Sequence, residues 1–190
     1  MSKIYVVMGK SCVGKDSLLN LMVDKGFKRV VSHTSRGRRS NEIEGRDYRF
    51  TSQQQMIDMI NDNEFVETRS YNVVSNMTWY YGISKNEIDL NSENNYISVV
   101  DGSGFKALRE YYGKDNVIGI YLWVNNRERI LRAMNRCELD DKMVDELVRR
   151  YIDDNIKFTK EVTDNCILKI NNTNLTETLE IVLRNIKNGI

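Results

Sequence analysis

The sequence predicts an α/β fold: a parallel sheet core with helices on both faces, interrupted by one long polar insertion and one short acidic one. Three observations lead there. Short apolar runs alternate with segments of helical periodicity. The first run ends in a glycine-rich loop that opens a helix. Residues 32–94 then break the alternation with a polar, charge-rich stretch. With 190 residues the chain has room for one domain with a buried core and too little for two of full size.

Residues 3–8, KIYVVM, read as a strand buried on both faces, and 16–25, DSLLNLMVDK, carry apolar residues at helical spacing. Further strands are predicted at 28–31, 96–101, 117–124 and 166–170, and helices at 104–112, 126–136, 142–160 and 175–188. Ser52 with Gln55, and Asn174 with Glu177, place a capping side chain and its reciprocal acceptor three residues apart, which marks two helix starts. The acidic interruption is CELDDKMVDELV, residues 137–148, and motion is expected there and in 32–94. The chain holds no proline to mark loop boundaries.

A hydrophobic fraction of 41% beside 29% charged residues is ordinary for a soluble globular protein. The formal charge of +1 argues against bulk electrostatic binding to nucleic acid or to a membrane, so any anion site is local. The first apolar run stops at Gly9, too short for a signal-peptide core, and nothing else approaches a membrane span, so a cytoplasmic location is expected. Cys12, Cys137 and Cys166 are widely spaced beside a single histidine, His33, which favours free thiols over a disulfide framework or a zinc site.

Gly9, Lys10, Ser11, Cys12, Val13, Gly14 and Lys15 satisfy GxxxxGK directly after a strand and before a helix, the context of a phosphate-binding loop of the P-loop NTPase type. Glycines let the backbone curl so that successive N–H groups point at phosphate oxygens, the helix N-terminus adds its dipole, and Lys15 adds a mobile charge. Asp16 stands in the slot of the usual magnesium-binding hydroxyl, with Ser17 after it. Its carboxylate either assists Mg2+ directly or through water, or simply favours the helix N-terminus.

SHTSRGRRSNEIEGRDYRF (32–50) resembles the acceptor-binding segment of guanylate kinases. NEFVE (63–67), YYG (80–82), VDGSGFKALR (100–109) and RAMNR (132–136) follow in that family's order. The resemblance implies a core of about 1–31, 95–136 and 149–190, a nucleoside-monophosphate-binding region at 32–94 and a lid at 137–148. It implies that Ser32, Arg36, Arg39 and Tyr48 bind the acceptor phosphate, which suits planar guanidiniums that neutralise and orient phosphate bidentately. Glu67 would accept hydrogen bonds from guanine, Tyr81 would contact the phosphate region, and Asp101 would hold a metal-bound water or an acceptor group.

Ile83 follows YYG where the family has Ser or Thr, and Val99 stands where its first acid lies. Arg132 and Arg136, spaced to share one helix face, would join Lys15 at the transferring group, with Arg149 or Arg150 as a further candidate; the plainer reading pairs them with Glu128 or Asp140.

The reaction implied is phosphoryl transfer from MgATP to GMP or dGMP by a monomer or homodimer, residues 9–17 holding ATP. Two other readings fit parts of the pattern: GKDSLL and the apolar residue after YYG also resemble ribose 1,5-bisphosphate phosphokinase, and a non-catalytic interaction module shares the fold.

Overall fold

The computed structural model of the chain describes residues 2–40, 42–73, 77–135 and 141–190. From the N-terminus run β1 (Ile4–Met8), α1 (Lys15–Asp24) and β2 (Lys28–Arg29), then β3 (His33–Thr34), β4 (Arg49–Phe50), α2 (Gln53–Asn61), β5 (Phe65–Asn72) and β6 (Thr78–Ser84). The alternation resumes with β7 (Tyr96–Val99), α3 (Gly102–Tyr112), β8 (Val117–Trp123), α4 (Asn126–Met134), α5 (Asp141–Lys157), α6 (Lys160–Asp164), β9 (Leu168–Asn171) and α7 (Leu175–Lys187).

β1 is buried at every position and lies at the centre of a five-stranded sheet ordered β2-β7-β1-β8-β9. All its pairings are parallel, and a parallel strand covered on both faces needs an uninterrupted apolar run. Side chains alternate across the strand, so β1 feeds two cores. Tyr5 and Val7 pack with Leu18, Leu19 and Met22 of α1 and Leu179 and Val182 of α7. Ile4, Val6 and Met8 pack with Phe105 and Leu108 of α3. Helices therefore cover both faces, as the sequence predicts.

Several elements differ in extent from expectation, two of them in instructive ways. The strand foreseen at 28–31 pairs only over Lys28–Arg29. The helix foreseen at 142–160 ends at Lys157, and Thr159 starts α6 by accepting from the Val162 amide. A threonine hydroxyl competes well for a helix's first amides and restarts the chain there. The insertion is more ordered than its polarity implies: it builds a second sheet, β4-β3-β6-β5, in which β5 and β6 form an antiparallel hairpin. Among the described residues no helix is long and apolar enough to cross a membrane.

Both foreseen caps are present. Ser52 and Gln55 form the full reciprocal box at α2, while Asn174 accepts from the Thr176 and Glu177 amides at α7. Ser52→Ala is expected to cost about 0.5–2 kcal/mol. At about 2–4 °C per kcal/mol for a chain of this size, that lowers the melting temperature by a few degrees, readable by calorimetry.

Candidate active site

The sheet order reverses at β1, so the loops leaving the carboxyl ends of β1 and β7 flank a crevice, the usual ligand position in such sheets. The β1 loop is shaped by two glycines. Gly9 has φ +149°, and a Cβ there would sit 2.3 Å from the Leu122 carbonyl oxygen. Gly14 has φ +95°, and a Cβ there would sit 2.5 Å from Asn172 Nδ2. Only glycine fits either conformation and approach.

Distant segments pin the loop. Asn172 Nδ2 donates to the Val13 carbonyl at 2.7 Å, and Thr178 Oγ1 donates to Asn172 Oδ1 at 2.8 Å. Asp154 accepts from the Ser11 amide at 2.8 Å and pairs with the buried Arg129. Arg129 Nε in turn donates to the Ser11 carbonyl at 2.9 Å, and the guanidinium stacks 4.1 Å from the Tyr151 ring centroid. Lys15 Nζ donates to the Lys10 carbonyl at 3.0 Å.

Gly9, Ser11 and Lys15 line one wall of the cleft, and Arg36, Arg39, Tyr48 and Tyr81 line the other. Arg36 is nearly inaccessible: Nη2 donates to Glu42 Oε1 at 2.6 Å, Nε to the Tyr81 hydroxyl at 3.2 Å, and the group lies over the Tyr48 ring. Glu42 also accepts from the Arg39 amide at 2.9 Å. Burial would raise the Glu42 carboxyl, but the hydrogen bonds from Arg36 and Arg39 hold it below the usual range. Partial burial of a side chain that is still 54% exposed, then the neighbouring Arg36 and Arg150 guanidiniums, lower the pKa of Arg39. Burial, with Asp16 and Tyr81 adding, pushes the Tyr48 hydroxyl up to about 12, so it remains a donor at neutral pH.

Asp101 also lines the cleft and caps α3. Its Oδ1 accepts from Ser103 Oγ at 2.7 Å and the Gly104 amide at 3.1 Å, and Oδ2 accepts from the Tyr71 hydroxyl at 2.9 Å. Burial acts to raise this carboxyl, but Arg69 and those donors bring it below the ordinary value. Arg149 and Arg150 reach the cleft from α5, both held by Glu146.

Several sequence-predicted residues lie elsewhere. Lys10, Cys12, Val13 and Gly14 shape the loop without lining the cleft, while Asp16 and Ser17 are exposed on the first turn of α1. Ser32 is buried, and Glu67 sits behind the cleft surface. Ile83 is fully buried in the core with Ile4 and Val6, so its side chain does not reach the cleft; an apolar side chain gains more from that core than from a polar cavity. Arg132 does not reach the cleft either, because its guanidinium is held by Glu128 Oε1 at 2.8 Å, the Asn172 carbonyl at 2.8 Å and the Val13 carbonyl at 3.4 Å. That includes the Glu128 pairing foreseen as the plainer reading. Arg136 and the 137–140 part of the expected lid lie outside the described residues.

Sequence reasoning missed Arg69, Tyr71, Arg129 and Asp154. Glu67, Arg69 and Tyr71 alternate along β5, a period-two signal masked by their polarity. Nothing local marks Asp154 as the partner of a loop 143 positions earlier.

The family model described as guanylate kinase matches residues 1–187. A guanylate kinase of Mycoplasma mobile is 30% identical over 94% of this chain and 95% of its own length. One from Porphyromonas gingivalis is 30% identical over 85% of this chain and 83% of its length. The crystal structure of guanylate kinase from Anaplasma phagocytophilum superposes with a TM-score of 0.70 at 17% identity, covering 98% of this chain and 85% of that one, a likeness of fold.

Removing one member of a buried ion pair strands the other's charge, at about 3–5 kcal/mol. Arg129→Met is expected to lose that much in urea unfolding. The double variant with Asp154→Leu is expected to lose less than the single one.

Proposed function

Because this chain belongs to the guanylate kinase family and transfers a phosphoryl group from ATP to GMP, we propose that the two walls of its cleft hold those two substrates. The β1 loop, residues 9–17, takes the ATP phosphates: its amides and the start of α1 supply partial positive charge, and Lys15 supplies a full one. Region 32–94 presents GMP, with its phosphate met by Arg36, Arg39, Tyr48 and Tyr81. The observation that supports this most is that Arg36, Arg39, Tyr48 and Arg150 line the same cleft as Gly9, Ser11 and Lys15 of the β1 loop, so that two phosphate groups would meet donors from both sides.

The chemistry asks for little more than position and charge. The acceptor phosphate, with a second pKa of about 6, is already largely ionised at neutral pH, so no enzyme base is needed to expose its attacking oxygen. As that oxygen bonds to the terminal phosphorus, the ADP oxygen leaves and negative charge spreads over the moving group. Lys15 and Arg150 would meet that charge, with Arg149 as a further candidate on the same helix as Arg150. Arg132 is a positioning residue that acts through the Val13 carbonyl.

Mg2+ would arrive with ATP, since the ion commonly binds through one or two carboxylates and the substrate's own phosphates. Bound with ATP, it would neutralise charge across the phosphates, and Asp16, on the first turn of α1 next to Lys15, would hold it directly or through water. The protein is read as cytoplasmic, a monomer or homodimer, using GMP or dGMP.

In a coupled ADP-release assay, GMP and dGMP are expected to be phosphorylated, and AMP and ribose 1,5-bisphosphate poorly. Arg36→Ala with Arg39→Ala should raise the KM for GMP by well over tenfold with the KM for ATP little changed; equal effects on both would count against the assignment. Asp16→Asn should raise the magnesium concentration needed for half-maximal rate, and an unaltered requirement would remove that residue from metal placement.

A further inference from the structure

We propose that Arg69 is a further specificity residue beside Glu67, the carboxylate that the family resemblance already assigns to the base: the Arg69 guanidinium donates to the 6-oxo group of the acceptor base. This rests on the reading of the cleft as the GMP site. The two residues are two apart on β5, so their side chains leave the same face. Arg69 Nη2 donates to Glu67 Oε1 at 3.1 Å. Arg69 Nε lies 2.9 Å from Glu67 Oε2 but without hydrogen-bond alignment, and both atoms are buried and unsatisfied. Of the two residues, Arg69 lines the cleft.

A buried pair that leaves polar atoms unmet is costly as scaffolding and points to a partner that completes it. Glu67 lies against the start of α3: a Cβ at Gly104, where the chain has none, would come 3.1 Å from Glu67 Oε2. Arg69 is steered by Tyr81, whose ring lies 5.9 Å from the guanidinium and whose hydroxyl is bonded to Arg36 on the phosphate side. Base edge and phosphate clamp are thus joined through one ring. Ile83, buried and apolar, supplies no donor of its own.

The chemistry of the pair matches one purine. A guanidinium beside a carboxylate presents a donor followed by acceptors, and the pairing edge of guanine presents an acceptor, O6, followed by two donors. Adenine sets its amino donor against the guanidinium and its bare ring nitrogen against the carboxylate. Sites built around such bonds reject the mismatched partner strongly, because their polar groups stay unpaired. Arginine donating to guanine O6 is also the commonest specific contact in the recognition of DNA bases.

The test compares kcat/KM for GMP, 6-thio-GMP and AMP in the wild-type chain and in Arg69→Ala. Sulfur is a weak acceptor, so the wild type should prefer GMP to 6-thio-GMP by about ten- to a hundredfold, the worth of a charged hydrogen bond. In Arg69→Ala that ratio should collapse toward one, discrimination against AMP should fall, and the KM for ATP should stay within about twofold. If the single variant does not fold, Arg69→Met with Glu67→Gln leaves no lone buried charge and reports the same oxygen-to-sulfur ratio. A wild type that prefers GMP but keeps an unchanged ratio in the variants overturns the role of Arg69 alone. A wild type that ignores GMP overturns the reading of the cleft, and the base edge with it.

Discussion

The geometry of the phosphate loop depends on a buried carboxylate far from it in sequence. Asp154 accepts the Ser11 amide and pairs with Arg129, which returns a hydrogen bond to the Ser11 carbonyl. Desolvating two charges is expensive, and the arrangement is tolerable because nearly every polar atom in it has a partner. A second anchor, from Asn172 at the end of β9, fixes the Val13 carbonyl. A curled run of amides is therefore held at both ends by α4, α5 and β9. Local sequence supplies the curl, and the rest of the domain supplies its rigidity.

Charge is concentrated in the cleft although the chain as a whole is nearly neutral. Each guanidinium there is tethered to a carboxylate that orients it: Arg36 to Glu42, and Arg149 and Arg150 to Glu146. Tethering through some N–H groups leaves the remaining donors available, and it limits the rotamer freedom that a bound anion must otherwise freeze. A net charge of +1 thus conceals a local concentration of guanidiniums.

The inserted sheet follows a different rule from the core. On β5 one face carries Glu67, Arg69 and Tyr71, so a strand that would ordinarily bury apolar residues there buries an ion pair and a hydroxyl instead. Against the doubly apolar β1, this marks where the fold keeps buried polarity at some cost in stability. The proposed acceptor and donor walls accordingly come from separate sheets that meet across the crevice.

What the sequence determined by itself is what neighbouring residues dictate. The apolar run of β1, the Gly9 to Lys15 turn, the entry to α1 and the Ser52 cap each depend on contacts within a few positions, and each stands where it was read. The short strands β3 and β4 have two residues each, too few to show a period, and the polar alternation of β5 imitates a loop. Only the tertiary structure decided that Ile83 turns into the core, that Arg132 faces backbone carbonyls, and that Arg69 stands before Glu67. Those outcomes depend on which surfaces meet after the chain has closed on itself, and pairings between residues far apart in sequence leave no periodic trace.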